Sequence, residues 1–114
     1  MPPRVRRSEG IQAGQIFWLE RTNSSGREQQ GRRPVIVVTD NRLTALGLCW
    51  IVPLSTTNRG WPLHVPVEFQ GKTSVALCEQ LQSVSVERLK RPIGSVAFPE
   101  LLEIRSVLHK IIGN

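Results

Sequence analysis

The chain reads Ser25-Gly26-Arg27-Glu28-Gln29-Gln30-Gly31-Arg32-Arg33-Pro34 and then Val35-Ile36-Val37-Val38-Thr39, a polar loop with glycines followed by a β-branched run. Such a run is typical of a buried strand, and glycine permits the tight turns of a loop. Pro34 biases Arg33 toward extended backbone, so the arginine is expected where a flexible loop meets a rigid strand. A guanidinium there is a planar, always-charged donor suited to phosphate. The alternative is a solvated charged loop between two strands. These residues alone slightly favour that alternative.

The rest of the chain reads as short strands and one helix. Apolar runs and alternation predict strands over 15–21, 35–39, 46–53, 63–69, 73–81 and 91–96. Pro66 donates no ladder hydrogen bond, so its strand is predicted at an edge or a bulge. Residues 84–89 predict one helical turn. After Pro99 the spacing becomes helical, with one apolar face formed by Leu101, Ile104, Leu108, Ile111 and Ile112. The order predicts a mainly β protein, a small curved antiparallel sheet with a C-terminal helix.

Length and charge limit the possible classes of protein. A chain of 114 residues is long enough for one domain, which we expect over 13–114. Residues 1–12 are basic, and we expect them to form a disordered arm. Lys and Arg number 15 against nine Asp and Glu, and the net charge of +6 favours nucleic acid, an anionic membrane surface or an acidic protein as partner. No apolar run approaches the ~20 residues that span a bilayer. No apolar segment follows the basic N-terminus as in a secretory signal, so we expect a cytoplasmic protein without a membrane partner.

The cysteines and histidines do not form a pattern that binds metal. Cys49 and Cys78 lie in apolar stretches, which favours small buried side chains over a disulfide. No Cys or His pair has metal-ligand spacing, so we expect neither a metal nor another cofactor. His64 is expected on the exposed side of its strand and His109 on the surface of the helix.

Four blocks of residues together resemble a known family. The first block consists of Gly26, Glu28, Gln29, Gly31, Arg33 and Pro34. The others are Gly14–Trp18, Val52–Thr57 with Gly60–Pro62, and Ser74–Gln80 with Arg88, Leu89 and Gly94. In this order, over roughly residues 13–113, they resemble the MazF/PemK family of toxin endoribonucleases. The resemblance implies an SH3-like barrel of the MazF/PemK/CcdB toxin type. It also implies a sequence-selective, metal-independent mRNA interferase of a toxin–antitoxin system.

An RNA strand can be cleaved without metal because its own 2′-OH attacks the adjacent phosphate. Arg33 suits stabilisation of charge on the phosphoryl oxygens, and the resemblance implies that it is catalytic. Because a guanidinium stays protonated, we assign it charge stabilisation before proton transfer. The family position that is normally threonine holds Ser55, and either Ser55 or Thr56 carries the hydroxyl role. Glu28 either accepts a proton or holds Arg33 in place.

Further polar and aromatic side chains in the loops are candidates for RNA contacts. Glutamine amides can read the base edges of single-stranded RNA, and Trp61 offers a stacking surface worth ~1–3 kcal/mol per base. The predicted RNA contacts are Arg27, Gln29, Gln30, Arg32, Thr57, Asn58, Arg59, Trp61 and Gln80. Thr57 and Asn58 have a structural alternative, the closing of a local turn. Trp18 and Trp50, inside strands, are expected in the core or in a dimer interface.

The resemblance also implies partners. We expect a homodimer that binds single-stranded RNA, and an antitoxin whose acidic, disordered C-terminal segment covers the same basic path. One alternative is a non-catalytic nucleic-acid-binding module, since Ser55 replaces threonine. Another is a gyrase-inhibiting toxin of the same fold, but such toxins use a tryptophan-containing C-terminal tail and residues 109–114 contain no tryptophan.

Overall fold

The structure, a computed structural model, describes residues 10–20 and 31–113. Within them the chain is mainly β, with a long helix at its C-terminal end, as predicted. The elements are β1 (Gln15–Glu20), β2 (Arg32–Val37), α1 (Asn41–Thr44), β3 (Cys49–Ser55), β4 (His64–Phe69), β5 (Lys72–Leu77), a first 3₁₀ turn (Cys78–Gln80), β6 (Gln82–Val84), a second 3₁₀ turn (Val86–Arg88), β7 (Pro92–Ser95) and α2 (Phe98–Ile112).

The strands form an antiparallel sheet in the order β4-β5-β3-β2-β1-β7, and β6 pairs with β3 outside this path. β3 is central and changes partners along its length. Its residues Cys49–Ile51 pair with β6, whereas Leu54 and Ser55 pair with β5. β2 pairs with β3 so that Val35 lies opposite Pro53. The predicted curved sheet is confirmed, and β3 is the strand around which it curls.

Successive side chains of the sheet enter two apolar cores, because strand side chains alternate between faces. In β1, Ile16 belongs to the core beneath α2, whereas Phe17 and Leu19 belong to the other core. The helix covers the first core with four buried residues, Leu101, Ile104, Val107 and Leu108. The two faces of the sheet are therefore both used for packing at its centre.

The last turn of α2 differs from the prediction. Ile111 and Ile112 were expected on the buried face but are 42% and 68% exposed, and Val107 is buried instead. Ile112 lines a small surface cavity together with Leu48 and Trp50. The row of apolar residues on α2 thus extends beyond the core to the surface of the chain.

Turns shorten two of the predicted strands. The strand expected over 46–53 begins only at Cys49, after α1, and that helix was not predicted. Its N-cap, Asp40, accepts a hydrogen bond from the backbone N–H of Arg42 at 2.8 Å. Hydrogen bonds from the Arg42 side chain to the same carboxyl lower its pKa to about 2. The strand expected over 73–81 ends where the first 3₁₀ turn begins.

β4 lies at the edge of the sheet, as Pro66 predicts. The backbone N–H of Glu68 donates to Oε2 of Glu100 at 3.0 Å. The N–H of Ala97, the N-cap of α2, donates to Oε1 of the same carboxylate at 2.8 Å. One side chain therefore connects the start of the helix to the edge strand.

Ile11 lies in the segment 1–12 that was predicted as an N-terminal arm, and it packs with the domain. Ile11 is 4% exposed and packs in the second core, because its apolar side chain reaches Phe17 and its neighbours. Both cysteines are buried and not bonded to each other, as predicted. Burial raises the pKa of the Cys49 thiol to about 11 and that of Cys78 to about 12.

Candidate active site and nucleic-acid interface

Arg33 lies at the start of β2, across from Leu19 of β1. Its side chain is partly buried, and its Nη2 lies 3.5 Å from Oε1 of Gln80 at the end of the first 3₁₀ turn. Gly31 has a φ of 89°, a left-handed conformation that few other residues adopt, and it leads the chain into the strand. The structure thus places Arg33 as the second residue of β2, at the start of the strand that the sequence predicts.

Ser55 is the last residue of β3 and pairs with β5 on one side. On the other side, Val35 of β2 lies opposite Pro53. Continuing this antiparallel register by two residues brings Arg33 level with Ser55. The Oγ of Ser55 accepts a hydrogen bond from the backbone N–H of Thr57 at 3.0 Å. Its hydroxyl hydrogen does not take part in that bond, so Ser55 can still donate to a ligand.

Thr56, the second hydroxyl candidate, follows Ser55 directly and is exposed. Both residues line an open cavity of about 410 Å³ together with Trp18 and Pro34. The two hydroxyl candidates therefore border one cavity, which does not distinguish between them.

Local hydrogen bonds shape the loop after β3. The Oδ1 of Asn58 accepts from the backbone N–H of Gly60 at 2.8 Å, and Gly60 has a φ of 72°. Asn58 thus closes a turn, which is the structural alternative that the sequence left open for it. Thr57 takes part in the preceding turn through its backbone. The side chains of Thr57, Asn58 and Arg59 are exposed on this loop.

Trp61 lies near the end of this loop, three residues before β4, and is 51% exposed. Its ring stacks on that of His64, with centroids 5.2 Å apart and an interplanar angle of 27°. The expectation of an exposed His64 is wrong, because its side chain is only 4% exposed. Its Nε2 lies 3.1 Å from Oε2 of Glu79, and the pair holds the ring inward. His109 is exposed on α2, as predicted.

Two predicted site residues, Arg33 and Trp61, are each connected to the first 3₁₀ turn. Gln80 contacts Arg33, and the neighbouring Glu79 contacts the histidine beneath Trp61. Glu79 and His64 were not predicted as site residues, since nothing in their local pattern indicates the pairing. Four further candidates lie outside the described residues, namely Arg27, Glu28, Gln29 and Gln30.

A second surface, which we call the basic groove, was not predicted as a whole. It is a cavity of about 700 Å³ lined by Trp18, Glu20, Arg32, Glu87, Arg88, Lys90, Arg91 and Ile93. The guanidinium carbon of Arg32 lies 4.6 Å from the ring centroid of Trp18, a cation–π contact. The Trp18 ring is half-buried at this groove, so it is not a fully buried core residue of the single chain. In the sequence, the basic residues at 88, 90 and 91 were the feature that could have indicated this groove.

A third surface is apolar, and we call it the apolar face. Four of its exposed members are Leu43, Leu48, Trp50 and Ile112, and the fifth is the exposed Leu46, whose backbone N–H donates to the carbonyl of Leu43. Trp50 is 39% exposed in the isolated chain, so it is not a core residue. Apart from Leu46, these residues also line a cavity of about 200 Å³ with Leu81 and Leu108.

In residues 10–20 and 31–113, no group of three or more His, Cys, Asp or Glu side chains is arranged to hold a metal ion. Across the same part of the chain, no helix combines the length and the apolar character needed to cross a membrane.

Comparison with known proteins places this chain in a family. A family model described as PemK-like, MazF-like toxin of type II toxin–antitoxin system matches residues 12–112. The chain is 33% identical over 104 residues to the endoribonuclease toxin MazF of Escherichia coli (strain K12). The aligned region covers 88% of this chain and 92% of that relative. A chain of the MazE–MazF crystal structure (Form-II) from Deinococcus radiodurans matches with a TM-score of 0.79 and 27% identity, over 90% of this chain and 96% of that one. MazF (Form-I) from the same organism matches with a TM-score of 0.74 and 27% identity, over 91% and 97%. The chain therefore belongs to the PemK-like, MazF-like family of toxins from type II toxin–antitoxin systems.

Proposed function

We propose that this toxin is a sequence-selective endoribonuclease that cleaves single-stranded RNA, including mRNA. The 2′-OH loses its proton and attacks the adjacent phosphate, the P–O5′ bond breaks, and the departing 5′ oxygen takes up a proton. The observation that carries the proposal is the contact of Arg33 with Gln80. Arg33 lies two residues before Val35, which lies opposite Pro53 near the Ser55 end of β3. The name of the Escherichia coli relative, an endoribonuclease toxin, supports the same reaction. Since the substrate supplies its own nucleophile, the proposed mechanism uses no metal ion.

The residues of the proposed centre have different roles. Arg33 directs guanidinium donors at the phosphoryl oxygens, where negative charge develops in the transition state. Gln80 accepts from the guanidinium and keeps it oriented. Ser55 donates its hydroxyl hydrogen to the phosphate or the 2′ oxygen, with Thr56 as the alternative. Glu28 receives the 2′ proton or holds the arginine, a role that rests on the family resemblance.

We propose that the RNA lies across the loop after β3 and the first 3₁₀ turn. Trp61 stacks a base, because half of its surface is exposed at the end of that loop. The loop and groove side chains contact the neighbouring phosphates and base edges. These proposed contacts are Arg27, Gln29, Gln30, Arg32, Thr57, Asn58 and Arg59.

We propose that a cognate antitoxin covers the same surface with an acidic, disordered C-terminal segment. A structure of MazE bound to MazF is known from Deinococcus radiodurans, which supports an antitoxin partner. The net charge of +6 supports an acidic one. The basic groove, with Arg32 and Arg91 among its lining residues, offers donors for carboxylates. A short adjacent reading frame with an acidic C-terminal half would identify this partner.

We propose that the toxin is a homodimer that pairs through the apolar face. Leu46 is 76% exposed and Ile112 is 68% exposed, which is unfavourable for large apolar side chains clustered on one surface. Trp50 adds an aromatic anchor of the kind enriched in interfaces. A second copy of the chain would cover this surface.

The central test is the substitution Arg33→Ala. We expect a loss of RNA cleavage of about 100-fold or more, because a preorganised donor to the transition-state charge is removed. The fold is expected to survive, as judged by circular dichroism and the unfolding temperature. Arg42→Ala is the matched control: Arg42 lies beyond the far end of β2, and its side chain is 89% exposed. Equal cleavage by both folded variants would refute the role of Arg33.

The reaction products test the mechanism separately. We expect cleavage in the presence of EDTA, a 2′,3′-cyclic phosphate on the upstream fragment, and no cleavage when the cut nucleotide is 2′-deoxy. All three follow from attack by the 2′-OH. Mass spectrometry of the fragments of one short RNA measures them. Strong dependence on added Mg²⁺, or cleavage of the deoxy-substituted RNA, would contradict the mechanism, and tight binding without any cleavage would favour the non-catalytic module.

A further inference from the structure

One of the two ring nitrogens of His64 has a hydrogen-bond partner among the described residues. Its side chain is 4% exposed, and Nε2 pairs with Oε2 of Glu79 at 3.1 Å. Its Nδ1 is buried and has no hydrogen-bond partner within the described part of the chain. A buried nitrogen without a partner is unfavourable, so packing and the Glu79 pair must fix this ring.

The packing partner of His64 is Trp61. Their rings stack with centroids 5.2 Å apart, within the range of favourable aromatic pairs. The same Trp61 is 51% exposed, although His64 covers part of its ring. A large aromatic ring that is supported from one side and open on the other suits the stacking of a nucleobase.

The His64–Glu79 pair also connects this ring to the Arg33 centre. Glu79 directly precedes Gln80, whose Oε1 lies 3.5 Å from Nη2 of Arg33. In the sheet, His64 lies opposite Leu77, which immediately precedes the first 3₁₀ turn. The histidine therefore contacts both the exposed tryptophan and the turn that carries the glutamine.

We propose that His64 is a positioning residue that holds Trp61 as a nucleobase subsite beside the Arg33 centre. The ligand of this subsite is a base of single-stranded RNA close to the scissile phosphate, bound by its aromatic face. The inference rests on the proposed function for the identity of the ligand. It adds a residue that acts through Trp61 and does not touch the reacting atoms.

A thermodynamic cycle tests the coupling. The probe is a fluorescently labelled, mixed-sequence RNA of about 12 nucleotides with 2′-O-methyl groups, which has no attacking hydroxyl and stays intact. We expect Trp61→Ala to raise its Kd about tenfold and His64→Ala about fivefold. The double variant should bind no more weakly than Trp61→Ala alone, because His64 acts through the tryptophan. His109→Ala is the matched control and should leave Kd unchanged.

A conservative variant separates positioning from a merely structural role. His64→Phe keeps an aromatic ring against Trp61 and should bind within about threefold of the natural chain. Urea unfolding of each variant gives the folded fraction to which the Kd is corrected. Additive losses in the double variant, or a His64→Phe variant as weak as His64→Ala, would overturn the proposal.

The cleavage assay distinguishes this inference from the proposed function. On an RNA that the natural chain cuts, His64→Ala should raise KM about fivefold and leave kcat within about threefold. Arg33→Ala should instead lower kcat, because it removes a donor to the transition state. If the natural chain shows the expected binding cycle and cuts no RNA, the proposed reaction is wrong and the subsite stands. If it cuts RNA and binding is unchanged by His64→Ala and Trp61→Ala, the subsite is wrong and the reaction stands.

Discussion

At the scale of single residues, the hydroxyl of Ser55 is held by its own backbone surroundings. Serine lacks the methyl group that restricts the side chain of threonine. The N–H of Thr57 donates to the Ser55 Oγ at 3.0 Å and supplies a restraint of another kind. A serine at this position can therefore present its hydrogen in one direction, as threonine would.

The substitution Ser55→Ala should lower the cleavage rate about tenfold or more, from the loss of a hydrogen bond to a charged group worth ~1.5–3 kcal/mol. Ser55→Thr should be tolerated because it keeps the hydroxyl. Thr56→Ala should be mild. Rates on one RNA at saturating enzyme measure all three.

The opposite ranking of Ser55→Ala and Thr56→Ala would assign the hydroxyl role to Thr56, which lines the cavity of Trp18 and Pro34 together with Ser55. If neither variant loses activity, the segment serves only as a turn. The assignment of a second active-site residue would then be wrong.

At the scale of secondary-structure elements, Glu100 connects a helix and an edge strand. Its carboxylate accepts from the N–H of Ala97 at 2.8 Å and from the N–H of Glu68 at 3.0 Å. The first bond satisfies a donor that a helix start leaves open. The second occupies a donor on an edge strand, which would otherwise be available to another chain.

Glu100→Ala should lower the free energy of unfolding by about 1–2 kcal/mol, since two backbone donors lose their charged acceptor. Urea unfolding near neutral pH measures the change. Glu103→Ala, at an exposed position of the same helix, is the control and should change stability by about 0.5 kcal/mol or less. Equal effects of the two substitutions would mean that water satisfies both donors equally well.

At the scale of the whole molecule, the surfaces of the isolated chain differ in character. The basic groove and the loop that ends at Trp61 suit an anionic partner, whereas the apolar face suits a second copy. Leu46 is 76% exposed, so this leucine contributes little to the core of a single chain. A charge at this position should therefore affect association without affecting the monomer fold.

Leu46→Glu should convert the proposed dimer to a monomer, with at least a tenfold rise in its dissociation constant, about 1.4 kcal/mol of association free energy. Light scattering coupled to size-exclusion chromatography measures the mass. Leu102→Glu, on α2 and 48% exposed outside the apolar face, is the matched control. A natural chain that is already monomeric, or a Leu46→Glu variant that stays dimeric, would contradict an interface at this face.

The amino-acid sequence alone determined those features that depend on local pattern. The β-branched run after Pro34 indicates β2, Pro66 marks the edge strand, and the helical spacing after Pro99 gives α2. Turn chemistry and the periods of two and 3.6 residues act over a few neighbours, so they can be read directly from the chain. The family was indicated by four blocks of residues in the same order along the chain, of which the block around Arg33 is one.

Only the tertiary structure decided what lies beside these residues. Arg33 and Gln80 are 47 residues apart in the chain and meet because a turn follows β5. His64 alternates like an exposed strand residue, yet Glu79 and Trp61 bury it. Ile112 matches the helical period of the buried face, yet it remains 68% exposed. Contacts between distant segments depend on strand pairing and on where each packed layer ends, and no local pattern of residues carries that information.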